Sequence, residues 1–334
     1  MKLKPGEFEL IELLTREHIK DLPKGVIGPG DDCAVIDLSA LFPGGELQGK
    51  KLLLTTDLMV EDRHFRISSS PQDLGWKLLA VNISDIAAMG GAPVAALVTL
   101  QLSPNMESFA EDLYGGIYEL AAQSNVSIVG GDVSSGDKVS LGVTLVGTCE
   151  GTPLLRSAAK AGDLLYLSGK CGFANVGFRL AEGESLDDLS NEARRLAASR
   201  FARPVPRVEL GCTLQSEALA NAAIDISDGL VQDASHIAKM SGVSAVIDLA
   251  VAEQFLGKRY LASVLCGGED YELLFSAAPE HRSKLEAQGC ILVGKCTERL
   301  DAAVLVQVGE RRLSWPEYAA AAGLPASGGF EHFS

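Results

Sequence analysis

The chain has 334 residues, with 29 Lys and Arg against 44 Asp and Glu, a net charge of −15. At about 100–200 residues per domain, that length predicts two domains, each able to bury a core. Hydrophobic residues at 47% and charged residues at 22% exclude wholesale disorder, and the acidic balance argues against a nucleic-acid partner, which needs clustered Lys and Arg.

The first residues carry Glu7, Glu9 and Glu12 where a secretory signal would have its apolar centre. Segments 33–38 and 52–56 are apolar runs of strand length. From Leu74 to Met89 the apolar positions follow a helical period, and Gly90, Gly91 and Pro93 stop it. Those residues also break the longest uncharged apolar stretch, 86–100, below the ~20 residues of a membrane span. A strand at 94–102, a helix marked by Phe109, Leu113, Ile117 and Leu120, and a strand at 126–129 follow. Val139, Leu141, Val143 and Leu145 then alternate as in a half-buried strand.

The pattern breaks at Glu150-Gly151-Thr152-Pro153, which places a domain boundary there: 1–150 and 151–334. The second half predicts strands at 164–167, 222–226, 271–275 and 291–293, and helices at 191–200, 208–220 and 230–240. The class is α/β or α+β. Seven scattered cysteines without a C-x-x-C pair suit buried thiols in a reducing cytoplasm and argue against zinc.

Aspartates recur beside apolar runs: Gly30-Asp31-Asp32, Thr55-Thr56-Asp57, Ser84-Asp85, Gly130-Gly131-Asp132 and Asp225-Ile226-Ser227-Asp228. A lone buried carboxylate is costly, and few basic residues flank these. Each alone reads as a turn or a helix cap. As a set they predict carboxylates converging on Mg²⁺, which takes oxygen ligands and bridges phosphates. The neighbouring glycines allow backbone N–H groups to approach an anion, and tight turns explain them equally well.

Familiar phosphate motifs are missing. No Gly-Lys pair lies in a G-x-x-x-x-G-K-[ST] frame, no G-x-G-x-x-G opens a helix after a strand, and the protein-kinase signatures and the G-x-S-x-G elbow are absent. His64, just past the Asp57 segment, reads as either a substrate contact or a surface histidine.

Together with His64-Phe65, Asn82 to Gly90, Ile224 to Leu230, Gly267-Gly268-Glu269-Asp270-Tyr271-Glu272-Leu273 and the tail Gly329-Phe330-Glu331-His332-Phe333, these motifs resemble the thiamine-monophosphate kinases, in order from about Gly6 to Phe333. The resemblance implies two-domain subunits with an aminoimidazole-ribonucleotide-synthetase-like fold, paired as a homodimer through their N-terminal sheets, with a C-terminal α/β domain completing the site. It implies ATP- and Mg²⁺-dependent phosphorylation of thiamine monophosphate to thiamine diphosphate, the last step in making that cofactor. By the same resemblance, Asp32, Thr55, Thr56, Asp57, Asp85, Asp132, Asp225 and Asp228 are metal ligands. Tyr114, Gly131, Asp132, Arg156 and Ser227 contact the nucleotide, and His64, Glu269 and Phe330 contact thiamine monophosphate.

The attacking group would be a phosphate oxygen, already ionised near neutral pH because a phosphate monoester has its second pKa near ~6. No general base is then required, and direct in-line transfer is expected, governed by positioning and charge neutralisation. Rival readings are other ATP-dependent enzymes of the superfamily, such as selenophosphate synthetases and hydrogenase-maturation dehydratases, or a non-catalytic nucleotide-binding protein. The first of these carries a reactive cysteine or selenocysteine before the Asp-rich loops, and residues 1–32 contain no cysteine. The second ends in a reactive cysteine, where this sequence reads Glu331-His332-Phe333-Ser334.

Overall fold

The computed structural model describes residues 22–41 and 49–330, together with Thr15 and Leu47. The tail residues Glu331, His332 and Phe333 of the last motif lie outside the described residues.

Strands β1 (Val26–Ile27), β2 (Ala34–Asp37), β3 (Lys50–Val60), β4 (Ala92–Leu102), β5 (Ser127–Ser135) and β6 (Ser140–Glu150) form one sheet in the order β1-β2-β3-β6-β4-β5. Its pairs are antiparallel except β4 with β5. A parallel pair needs a crossover, and helix α2 (Glu107–Ser124) supplies it. Alternation along β3, β4 and β6 sends Leu53, Met59, Val98, Leu100, Leu141 and Val143 to one face, where α2 and α1 (Pro71–Ala88) cover them. The two helices cross closely because glycine stands at the contact: a Cβ on Gly75 would lie 1.9 Å from the Leu113 carbonyl oxygen, and one on Gly116 1.8 Å from that of Gln72.

The opposite face is apolar and open, with Leu58 60% and Leu97 45% exposed.

The second sheet comprises β7 (Leu164–Leu167), β8 (Ala222–Asp225), β9 (Val243–Asp248), β10 (Leu273–Ala277), β11 (Ile291–Glu298), β12 (Val304–Val308) and β13 (Arg311–Ser314), in the order β13-β12-β9-β11-β7-β10-β8. All its pairs are antiparallel except β9 with β12. Around it lie α3 (Phe173–Ala181), α4 (Asn191–Ala202), α5 (Val208–Ser216) and α6 (Leu230–Ser241), among other helices. Two largely antiparallel sheets with packed helices select the α+β form of the expected class.

Helix α1 is buried almost throughout, because it packs on the first sheet with one side and on the second domain with the other. Ala87 and Ala88 share a core with Tyr166, Leu214 and Phe275. The Trp76 indole N–H donates to the Pro204 carbonyl at 2.8 Å.

Two expected elements are shorter than their apolar runs. The strand expected from Tyr271 begins at Leu273, since Tyr271 has a left-handed φ of 51° that no strand accommodates. The helix expected to reach Ala220 stops at Ser216, and Ala218 turns the chain with φ 51°. Strands β1, β9, β12 and β13 have no counterpart among the expected elements. In β9, Val243 follows directly on Gly242, the left-handed cap of α6, so its apolar run reads as a continuation of the helix.

Candidate active site

Three elements from the two domains deliver carboxylates to one point. Asp32 follows the turn before β2, Asp85 sits in the last turn of α1, and Asp225 ends β8. One oxygen from each lies within 4.8 Å of the others. Such a group is stable only with compensation. Arg156 grips Asp32 through Nη2 at 2.8 Å and Nε at 3.3 Å. The Ser84 hydroxyl donates to Asp225 at 2.6 Å, and that of Thr55 donates to Asp85.

Compensation is incomplete. Burial, followed by the charges of Asp57, Asp225 and Asp32, pushes the Asp85 pKa well above the usual carboxylate range. Burial and then Asp32 do the same to Asp225. Burial among these acids also raises the adjacent Cys33 thiol, so it stays protonated and offers no soft ligand. A cluster of hard oxygen donors that repel one another fits Mg²⁺.

Asp57 belongs with this group through its field on Asp85. Asp228 lies one turn beyond Asp225, where its carboxylate accepts Gln232 Nε2 at 2.9 Å.

Strand alternation separates two expected site residues, Thr56 and Asp132, from the group within a single chain. Thr55 and Asp57 face α1, so Thr56 points to the open face; its hydroxyl donates to the Val143 carbonyl at 3.0 Å. Asp132 pairs with Thr99, which pairs with Gly142, which pairs with Leu58. That row also lies on the open face, three strands and thus roughly 14 Å from β3. Tyr114 sits half-buried on α2 with its ring 5.7 Å from Tyr118, and burial raises its phenol pKa. Gly131 lies on the exposed β5, where a Cβ would come 1.8 Å from the Val98 carbonyl oxygen.

The residues expected to contact a second substrate converge. A pocket of about 500 Å³ opens between the loop after β3 and helices α1, α3 and α4. Phe65, Leu74, Phe178 and Phe201 give it apolar walls, and His64 lines it. His64 Nδ1 accepts the Val60 N–H at 3.0 Å, which leaves the proton of a neutral ring on Nε2. Glu269 is ion-paired at 2.8 Å to Lys77, a lining residue. Phe330 holds its ring 4.9 Å from the guanidinium of Arg63, another lining residue. Ser227 ties the two regions together, because its carbonyl accepts the Glu269 N–H at 2.8 Å.

Supporting residues escaped the sequence reading. Asp233 is buried and accepts the N–H groups of Asp228 at 3.3 Å and Gly229 at 3.1 Å. Glu272 is buried between Arg200 and Arg207 and accepts the Ser168 hydroxyl at 2.5 Å. Asp270 accepts N–H groups of Gly172 at 2.5 Å and Ala174 at 3.1 Å, at the start of α3, and burial lifts its pKa to about 7. Lys77 had a visible signal, a single cation in the middle of an otherwise apolar helix.

Comparison with known proteins gives a consistent picture. Residues 30–149 match the family model of the AIR synthase related protein N-terminal domain, and residues 160–310 match that of its C-terminal domain. A thiamine-monophosphate kinase of Haemophilus influenzae is 34% identical over 309 residues, spanning 88% of this chain and 90% of that protein. One from Aquifex aeolicus is 37% identical, over 84% and 89% of the two chains. A solved structure of AaThiL complexed with AMPPCP and TMP superposes with a TM-score of 0.78 at 33% identity, covering 100% of this chain and 99% of that one. The hydrogenase maturation protein HypE, in complex with ATP, shares the fold at TM-score 0.63 and 16% identity.

Proposed function

This chain belongs to the AIR synthase related protein family and, within it, to the thiamine-monophosphate kinases, and from that premise we propose that it transfers the γ-phosphoryl group of ATP to thiamine monophosphate. The observation that carries this reading is the meeting of Asp32, Asp85 and Asp225 from both domains, with a half-apolar pocket lined by Lys77 of the helix that carries Asp85. One feature suits two polyphosphate anions, and the other suits a flat organic acceptor.

In this reading Asp32, Thr55, Asp57, Asp85, Asp225 and Asp228 hold Mg²⁺, which when bound offsets phosphate charge. The chain itself supplies orientation. Arg156 carries a cation next to the carboxylates, and its pairing with Asp32 keeps it aimed at the place where phosphate would enter. Glu269, His64 and Phe330 line the acceptor side, and Ser227 lies between the two sides. The acceptor phosphate needs no base to ionise it, so direct in-line displacement is the simplest route.

Thr56, Gly131, Asp132 and Tyr114 enter this scheme through a homodimer. Thr56 and Asp132 stand on the open apolar face of the first sheet, and pairing of two such faces would cover Leu58 and Leu97. Each chain would then lend Asp132 to its partner's site. We place the division of labour at 1–150 and 151–334. Among the described residues, no helix is long and apolar enough to cross a membrane. All seven cysteines are free thiols, which fits a reducing cytoplasm.

The test is ADP release with thiamine monophosphate, thiamine and an aminoimidazole ribonucleotide precursor as acceptors, each with and without Mg²⁺. Turnover confined to thiamine monophosphate with Mg²⁺ is expected. Equal turnover with an amidine precursor would move the chain to the synthetase branch. Inversion at a chiral γ-phosphate is the expected stereochemical course, and retention excludes direct transfer.

A further inference from the structure

We infer that Lys77, which lines the pocket, is a positioning residue for the acceptor, fixing the carboxylate of Glu269; the inference rests on the kinase reading given above. Lys77 lies in the middle of α1 with its side chain 4% exposed, while that of Glu269 is 31% exposed. Its Nζ has two neighbours from the second domain, Glu269 Oε1 at 2.8 Å and the face of the Phe201 ring at 4.1 Å.

Stability does not explain such an ion pair. Burying an ammonium costs more than it returns when its partner could be hydrated at the surface, and a methionine would fill the same space. What the pair does is geometric. Lys77 occupies Oε1, and no other hydrogen bond or ion pair of this carboxylate is made within the described residues, so Oε2 is left for a ligand.

The backbone beneath Glu269 is fixed as firmly as its side chain. Glu269 and Tyr271 take left-handed φ values of 67° and 51°, costly for such residues unless the surroundings impose them. The Glu269 N–H bonds the Ser227 carbonyl at 2.8 Å, and the Tyr271 N–H bonds that of Ile226 at 2.9 Å. Gly268 has no room for a Cβ, which would stand 2.2 Å from the Ser227 oxygen. The loop is thus pinned to the segment that carries Asp225, and its carboxylate is pinned to the helix that carries Asp85. Lys77 and Asp85 are eight residues apart on one rigid rod, about 12 Å along its axis. The pair therefore sets the acceptor at a constant distance from the carboxylate cluster.

The experiment compares Lys77→Met, Lys77→Arg, Glu269→Gln and the double variant Lys77→Met/Glu269→Gln in the full-length chain, by steady-state kinetics and thermal melting. Lys77→Met is expected to raise KM for thiamine monophosphate at least about tenfold, the scale of a lost charge-assisted hydrogen bond. KM for ATP and the Tm should stay near wild type, and Lys77→Arg should recover part of the loss. The double variant should be no worse than Glu269→Gln alone. A Lys77→Met enzyme with wild-type KM for thiamine monophosphate, or additive effects in the double variant, overturns the inference. If Lys77→Met loses its cooperative melt, Glu269→Gln decides: an unchanged KM for thiamine monophosphate also overturns it. A wild-type enzyme that leaves thiamine monophosphate unphosphorylated removes the premise, and that result is visible before any variant is made.

Discussion

Asp57 shows how a single side chain trades stability for chemistry. Its charge, after burial, is the largest influence holding the Asp85 carboxyl above its ordinary range, so Asp57→Asn relieves repulsion in the metal-free protein. The expected outcome is a raised Tm for apo Asp57→Asn together with a fall in kcat of at least about 100-fold, since even outer-shell partners of a metal cost 10–100-fold. Differential scanning fluorimetry without Mg²⁺ and an ADP-release assay with it check the two halves. Arg156 behaves oppositely. Burial works against its charge, yet Asp32 raises its pKa above the ordinary value. Arg156→Ala therefore leaves Asp32 buried and unpaired and should lower the apo Tm; an unchanged melt would show that Arg156 does not compensate the cluster.

Among the elements, α1 carries Asp85 and Lys77, and α3 helps to wall the pocket. The crossing of α1 and α2 leaves no space at Gly116, where a Cβ would meet the Gln72 carbonyl at 1.8 Å. Gly116→Ala must push the helices apart and should cost about 1–3 kcal/mol or more in urea unfolding, with activity falling because Asp85 rides on α1. Helix α3 starts on the buried carboxylate of Asp270, whose pKa is lifted from 3.8 to about 7. The native state then holds a proton that the unfolded chain releases near pH 4. Between about pH 4 and 7 the folded form binds more protons, so this group's contribution to stability falls as pH rises through that window and is level above it. Asp270→Asn should flatten the pH dependence of unfolding over that range relative to wild type, by as much as about 4 kcal/mol. Parallel pH curves for the two proteins would refute the assignment.

At the scale of the whole molecule, the proposed dimer through the open sheet face would complete the site. Asp57 and Asp132 lie on opposite faces of the same sheet, so the proposed dimer draws them from different chains. Asp57→Asn and Asp132→Asn variants should each be inactive alone. Mixed and allowed to exchange subunits, they should regain part of the wild-type rate, because one site of each mixed dimer then carries neither substitution. No recovery despite proven exchange would place both residues in one chain's site. Leu58→Glu, on the exposed row beside Asp132, should shift sedimentation to the monomer and abolish turnover.

The carboxylate cluster was legible in the chain because its members are marked locally. Aspartates at the ends of apolar runs are costly to bury alone, and the glycine-rich and Gly267–Leu273 motifs mark sharp turns whatever surrounds them. The helical period of α1 and the alternation of β6 follow from geometry that short segments impose on themselves. Only the tertiary structure could decide which of the marked residues meet. Asp32, Asp85 and Asp225 lie far apart in sequence, joined by no local pattern, and their convergence depends on α1 being gripped by both domains. The same packing chose the partners of Lys77, whose Glu269 comes from the other domain, and of Glu272, whose Arg200 and Arg207 leave no period in sequence. Alternation also set Thr56 and Asp132 apart from their neighbours in the motif: one residue along a strand is the opposite face of a sheet, a fact that motif order cannot express.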